Sequence, residues 1–474
     1  MNRYGEHINY IFKWQVASTL LVVLFQIVGI VLVGRFLDLK NLGIFTLFQI
    51  VFRFGLLIFD PGMFHSIVQR YETSKSLIKL LYRYQLGIVS VLLILMIGTY
   101  YWIIQGNSEN NILLILSIFC LVGVAIGSYF HNVLILHLKQ DKISYAQILS
   151  YVLELIALLL LLNYVSALLA FSISLCIRLF IFYLGCFIFS ASISIDKVQN
   201  ESLVKTDAHV NFGLYHMLNQ GLSFLQGHYD TVLLTLLFGL SVIGPYNLSC
   251  EIGFLIFSKI NPIFNKTHFP IISKARKEEN PIQGIISYTF SQFLFILIPL
   301  YILFWANADW ILTLAFGAKA EIILFFTRFI LVVAMLKAIN NMLFSYIMAL
   351  GESRILFFWN VAIVLINYMI CLIFFWIRIE MHTFLWFSMA YSLVVVCIML
   401  YILNRKVDYL YQELMSWVPK FLGFIVLFSF LLFIVNFLGV GSWIQFVLGI
   451  SLYALLFYLI DKSRFLQLVK LKLV

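Results

Sequence analysis

GIISYTFSQFLFILIPLYILFWA, residues 284–306, runs for 23 residues without a lysine, arginine, aspartate or glutamate. A helix rises about 1.5 Å per residue and the hydrocarbon core of a bilayer is about 30 Å thick, so about 20 apolar residues cross it. Outward from this stretch, comparable runs recur at 12–34, 42–61, 79–104, 111–136, 145–163, 166–190, 211–238, 242–265, 322–349, 355–377, 383–403, 419–438 and 443–461. The short alternating segments of an outer-membrane barrel are absent. Helices satisfy every backbone group within lipid, so the sequence reads as an all-α integral membrane protein of about fourteen transmembrane helices.

Composition points the same way. Of the residues, 63% are hydrophobic and 11% charged, and the mean hydropathy is +1.02. A soluble domain carries about twice that share of charges. Cys120, Cys176, Cys186, Cys250, Cys371 and Cys397 fall inside apolar runs without a CxxC pair, so they read as small buried residues rather than a disulfide framework or a metal centre. The first run is long for a signal peptide and lacks a small-residue cleavage site, so it reads as a retained helix.

Lysine and arginine set the orientation. With the N-terminus in the cytoplasm, the cytoplasmic side holds Arg3 and Lys13, then Arg70, Lys75, Lys79 and Arg83. Lys139, Lys142, Lys197 and Lys205 follow, then Lys266, Lys274, Arg276, Lys277 and Arg354, then Arg405, Lys406 and Lys420, and a tail with Lys462, Arg464, Lys470 and Lys472. The opposite side holds Arg35, Lys40, Lys319 and Arg378. Both termini are then cytoplasmic, and the net charge of +10 is an insertion signal whose partners are anionic membrane lipids rather than nucleic acid.

The chain carries an internal repeat. GRFLDLKNLGIFTLFQIVF begins at Gly34 and LFGLSVIGPYNLSCEIGF begins at Leu237; Gly43 aligns with Gly244 at an offset of 201 residues (244 − 43). Each segment is a short polar turn that ends one span and opens the next. Because six spans separate them, the halves share one orientation, a transporter arrangement of parallel repeats. The expected domains are a six-helix bundle at 1–191, a cytoplasmic linker at 192–210, a second six-helix bundle at 211–404, and two additional helices with a tail at 405–474.

Several weak motifs in order carry a resemblance over nearly the whole chain. They are Gly34-Arg35-Phe36-Leu37, Asn41-Leu42-Gly43-Ile44-Phe45, Asp60-Pro61-Gly62 and Gln69-Arg70, then Phe212-Gly213, Asp230, Gly244-Pro245-Tyr246, Pro270-Ile271-Ile272-Ser273, Ala349-Leu350-Gly351, Asn360 and Asn367. The sequence resembles the Wzx-type O-antigen flippases of the multidrug/oligosaccharidyl-lipid/polysaccharide exporter superfamily; Pro61 departs from the pattern and suggests a sharper end to the second span. The resemblance implies a two-bundle transporter in a bacterial cytoplasmic (inner) membrane. It implies that an undecaprenyl-diphosphate-linked oligosaccharide passes from the cytoplasmic to the outer leaflet. The last two spans would contact either lipid or partner proteins of polysaccharide assembly.

Ionisable groups at membrane depth are costly and persist where they meet water, a partner or a substrate. Five of the eight deepest are basic: Arg53, Arg178, Lys259, Arg328 and Lys337. A basic cavity suits a diphosphate, since guanidinium forks match phosphate oxygens; the competing reading is that these charges pair and fix packing. Arg328 and Lys337 are nine apart and so on opposite helix faces. The acidic groups are Glu154, Asp230 and Glu251. Asp230 and Glu251 lie at matching depth in a helical hairpin and could share a proton or bind sodium, coupling transport to an ion gradient. Glu154, if protonated, joins Asp230 and Glu251 as an ion-coupling candidate; the alternatives pair Glu154 with Arg178 and Glu251 with Lys259. Asp60, on the face of Arg53, and the helix-interior prolines Pro262 and Pro299 read as gating or structural. Trp14, Trp102, Trp305, Trp310 and Trp443 read as an interfacial belt.

No nucleotide-binding loop, metal motif or nucleophile elbow occurs in the sequence, so no cofactor and no catalysis are expected. A membrane oligosaccharide polymerase would bring a large outer loop, which the span pattern lacks. A small-molecule or drug exporter of the same superfamily would favour an acidic, aromatic cavity over this basic one.

Overall fold

A computed structural model describes residues 2–59, 82–83, 86–87, 90, 108–137, 139–191, 206–278, 281–437 and 442–460. Regular structure among them is helical, without a strand. Eight helical stretches of the described residues are long and apolar enough to cross a membrane, and Val122–Ile135 and Trp443–Tyr458 are shorter apolar helices. The chain is a multi-pass, all-α membrane protein. Asp60, most of the expected third span and residues 192–205 of the expected linker at 192–210 lie outside the described residues; 206–210, expected as linker, are helical.

The chain forms two compact units, Met1–Gly244 and Pro245–Val474. The first contains α1 (Asn2–Phe36), α2 (Leu39–Phe59), α3 (Ser108–Leu136), α4 (Gln140–Leu161), α5 (Ala167–Ser190), α6 (Thr206–Phe238) and the first turn of α7 (Leu240–Lys277). α5 packs on both α3 and α4, α4 packs on α1, and α2 touches α3, α5 and α6. Small residues permit the closest approaches: Gly185 faces Ala146, and Gly127 faces the ring of Tyr183, where a Cβ would overlap it. Ser18 of α1 donates to Ser144 of α4 at 3.2 Å. Small and hydroxylated interfaces of this kind are how helices bind one another when lipid is as apolar as leucine.

The two repeat segments open matching helices. Asp38 ends the α1–α2 turn, and its Oδ1 accepts the Asn41 N–H at 3.3 Å, an N-cap bond. At the equivalent place Gly239 turns the chain with φ of 76°, which a residue without Cβ adopts freely. α2 then begins at Leu39 and α7 at Leu240, again 201 residues apart (240 − 39). Within the first unit these two helix starts lie against each other. A Cβ on Gly244 would sit 2.7 Å from the Gly43 nitrogen, and one on Gly43 would overlap the Leu240 carbonyl.

The second unit holds the rest of α7, then α8 (Ile282–Phe316), a 3-10 turn (Gly317–Lys319), α9 (Ala320–Ala349), α10 (Ser353–Ile377), α11 (Met381–Lys406), α12 (Leu410–Phe437) and α13 (Ser442–Ile460). α8 and α9 are its centre: α8 packs on α9, α12 and α13, and α9 packs on α10 and α11. Phe293, Tyr346, Phe424, Phe428 and Phe457 are fully buried there. Leu365, Met369, Leu372 and Trp376 of α10 stay exposed, a stripe suited to lipid contact. α7 contains Pro245, Pro262 and Pro270, and α8 contains Pro299. Pro262 is exposed and Pro299 buried.

Candidate functional site

The intramembrane charges fall into distinct settings. In the first unit, Arg178 of α5 donates through Nη1 to Glu154 Oε2 of α4 at 3.2 Å, both side chains being largely buried. The guanidinium also lies 4.9 Å from the ring centroid of Tyr151, one helical turn before Glu154. Phe25 stacks on that same ring at 6.2 Å between centroids, and the Gln26 amide reaches the Tyr151 hydroxyl at 3.5 Å. α1, α4 and α5 thus fix one cation by a carboxylate and an aromatic face together, which holds the arginine in place while leaving part of its edge exposed.

Arg53 of α2 is exposed on its helix. Phe54, next to it, packs on Phe224 of α6 at 4.9 Å, and Phe224 packs on His228 at 4.3 Å. Asp230, two residues beyond His228, is 9% exposed, and its Oδ1 accepts the Thr231 backbone N–H at 2.7 Å.

In the second unit, Glu251 and Lys259 of α7 are half-buried. Lys337 of α9 places its ammonium 5.1 Å above the ring of Phe254, three residues after Glu251. Arg328 points elsewhere: its Nη2 donates to both carboxylate oxygens of Asp309 in α8, at 3.1 and 2.9 Å. Nine residues on one helix therefore separate two cations with different partners, as the half-turn between them requires. Among the described residues no group of three His, Cys, Asp or Glu side chains is placed to hold a metal ion. Asp230 belongs to the first unit and Glu251 to the second.

Two features are not among the intramembrane charges read from the sequence. Asn261 of α7 is 2% exposed and donates to the Ala338 carbonyl at 2.8 Å and to Asn341 Oδ1 at 3.2 Å, and Asn265 donates to that same oxygen at 3.0 Å. This amide ladder ties α7 to α9 beside Pro262, where the helix lacks a backbone donor. Asp309 was hidden because the polar run Asn307-Ala308-Asp309 reads as a loop. The helix continues through it because the fully buried Asn307 bonds the Leu303 carbonyl at 2.8 Å and accepts from Trp310 at 3.1 Å.

The chain is similar to the lipopolysaccharide biosynthesis protein WzxC of Escherichia coli (strain K12), with 22% identity over 356 residues, 74% of this chain and 71% of that protein. It is similar to the teichuronic acid biosynthesis protein TuaB of Bacillus subtilis (strain 168), with 24% identity over 366 residues, 75% of this chain and 74% of that protein. Its fold is that of the lipid II flippase MurJ in an inward closed conformation, at a TM-score of 0.64 and 14% identity, over 95% of this chain and 99% of the other. Residues 31–322, which contain both repeat segments and the cations from Arg53 to Lys259, match the polysaccharide biosynthesis protein family, and the chain belongs to that family.

Proposed function

We propose that the chain is a flippase. It moves an undecaprenyl-diphosphate-linked oligosaccharide from the cytoplasmic to the outer leaflet of a bacterial inner membrane, with both termini in the cytoplasm. Membership of the polysaccharide biosynthesis family carries the reading. Support comes from relatives named for lipopolysaccharide and for teichuronic acid biosynthesis, and from a fold shared with a lipid II flippase. The basic groups Arg53, Lys259 and Lys337, together with the carboxylate-held Arg178, suit the diphosphate. Transport proceeds by alternating access, and Asp230 and Glu251 are the groups through which a proton or sodium gradient would drive it.

The test is glycan display in a cell that lacks its own flippase and makes the cognate repeat unit. The wild-type chain is expected to restore display, and Arg53→Ala and Arg178→Ala to lower it about tenfold or more at matched membrane expression. Display restored by all three chains would keep the flippase and remove the two arginines from the substrate path. No rescue by a correctly inserted wild-type chain with a matched glycan would overturn the reading.

A further inference from the structure

Two crevices in the second unit share one wall. One, of about 590 Å³, opens among α8, α9, α12 and α13 and includes Arg328, Asp309, Asn436 and Gln445. The other, of about 610 Å³, runs between α9 and α11 beside Trp386 and Met389. Trp305, Arg328 and Val332 line both. Each volume lies within the about 300–1,000 Å³ of ligand pockets, and both are walled mainly by apolar side chains. Their shared level is interfacial: Trp310 lies 4.7 Å from Trp443, and the Arg328 guanidinium lies 5.8 Å from the ring of Trp305. Tryptophans gather where headgroups begin.

The polar groups at this level are unusual in kind. Gln445 is 6% exposed, lines the first crevice, and its Nε2 is buried without an acceptor. A buried donor left without an acceptor is destabilising. Arg328 uses only Nη2 on Asp309, so the Nε and Nη1 hydrogens remain for a second acceptor. Asp309 accepts from Arg328 while its side chain stays 59% exposed, so its oxygens have lone pairs to spare. The site therefore offers donors for an anion and an acceptor for a cation side by side. It is flanked by two apolar channels.

We propose that a phosphatidylethanolamine-type lipid, with two acyl chains, one phosphate and one primary ammonium, docks here as a resident lipid distinct from the transported substrate. Its phosphate accepts from Gln445 and Arg328, its ammonium donates to Asp309, and one chain lies in each crevice across the Trp305–Val332 wall. A lipid with only negative charge meets Asp309 without a cation to offer it. A choline headgroup has the charge but no N–H to donate.

The full chain, purified in detergent, is mixed with phosphatidylethanolamine, phosphatidylcholine or phosphatidylglycerol of identical acyl chains. Lipid retention by native mass spectrometry and the unfolding midpoint are then read; neither depends on transport, so the result is separable from the fate of the flippase reading. Phosphatidylethanolamine is expected to be retained about tenfold more strongly than either other lipid and to raise Tm most. Gln445→Met removes the orphan donor, so it is expected to fold at least as well without lipid and to lose most of that preference. Asp309→Asn is expected to shift preference to phosphatidylglycerol. Equal retention of the three lipids, stronger binding of phosphatidylglycerol by the wild-type chain, or an undiminished preference in Gln445→Met would each overturn the proposal.

Discussion

At the scale of single residues, the membrane turns each charge into a question of partners. Glu154 and Arg178 are 24 residues apart and meet at 3.2 Å because α4 and α5 run side by side. Deleting either leaves the other at depth, yet the pair itself is worth little more than other polar contacts between membrane helices, about 0.6–1.7 kcal/mol by double-mutant cycles. Glu154→Ala and Arg178→Ala are each expected to destabilise the chain, and the double variant to recover about 1 kcal/mol of their summed loss in a thermal or denaturant cycle. Strict additivity would mean that the two side chains do not act as a pair. The sequence allowed this pairing as one of two readings, since it shows depth but not which helices are neighbours. Asp309 and Gln445 were less legible still. One sits in a stretch that mimics a loop, and the other is an uncharged amide in an apolar run, where the cost of burial leaves no mark on the charge pattern.

At the scale of elements, spans were readable because their length is set by the bilayer, but their ends were not. α8 extends to Phe316, ten residues past the end of the apolar run at 306 (316 − 306), because Asn307 and Trp310 satisfy each other within the helix. α7 continues to Lys277 through Pro262 and Pro270, with Asn261 and Asn265 holding it to α9. Hydropathy records neither compensation. The glycines that align in the two repeat segments have a physical reason. Gly43 and Gly244 sit where α2 and the start of α7 approach too closely for a methyl group, and the obstructing atoms are backbone. Gly43→Ala and Gly244→Ala are each expected to cost about 1–3 kcal/mol, the range for overpacking, and to lower Tm. Gly29→Ala in α1, with nothing within 4 Å of the added carbon, is expected to be neutral or to stabilise by up to about 1 kcal/mol through helix propensity. If all three alanine variants melt alike, close packing is not what these glycines provide.

At the scale of the whole molecule, the signal that chooses orientation is written in the turns. In the second unit, Lys406 at the end of α11 donates to Glu352 before α10 at 2.8 Å, and Gly351 lies against the Arg276 guanidinium near the end of α7. These contacts draw Arg276, Arg354, Arg405 and Lys406 to one end of the unit, while Lys319 stands at the far end of α9 from Leu350. Lysine and arginine in short loops near span ends are the signal that retains a loop on the cytoplasmic side. The expected arrangement puts that end in the cytoplasm. In a background with the native cysteines replaced, Lys319→Cys is expected to react with a membrane-impermeant maleimide in intact cells. Arg354→Cys is expected to react only after permeabilisation. The reverse pattern would invert the chain and place both termini outside. Reaction of both sites in intact cells would mean that α9, the central helix of the unit, does not cross the membrane, and the assignment of the basic groups along it would fall with it.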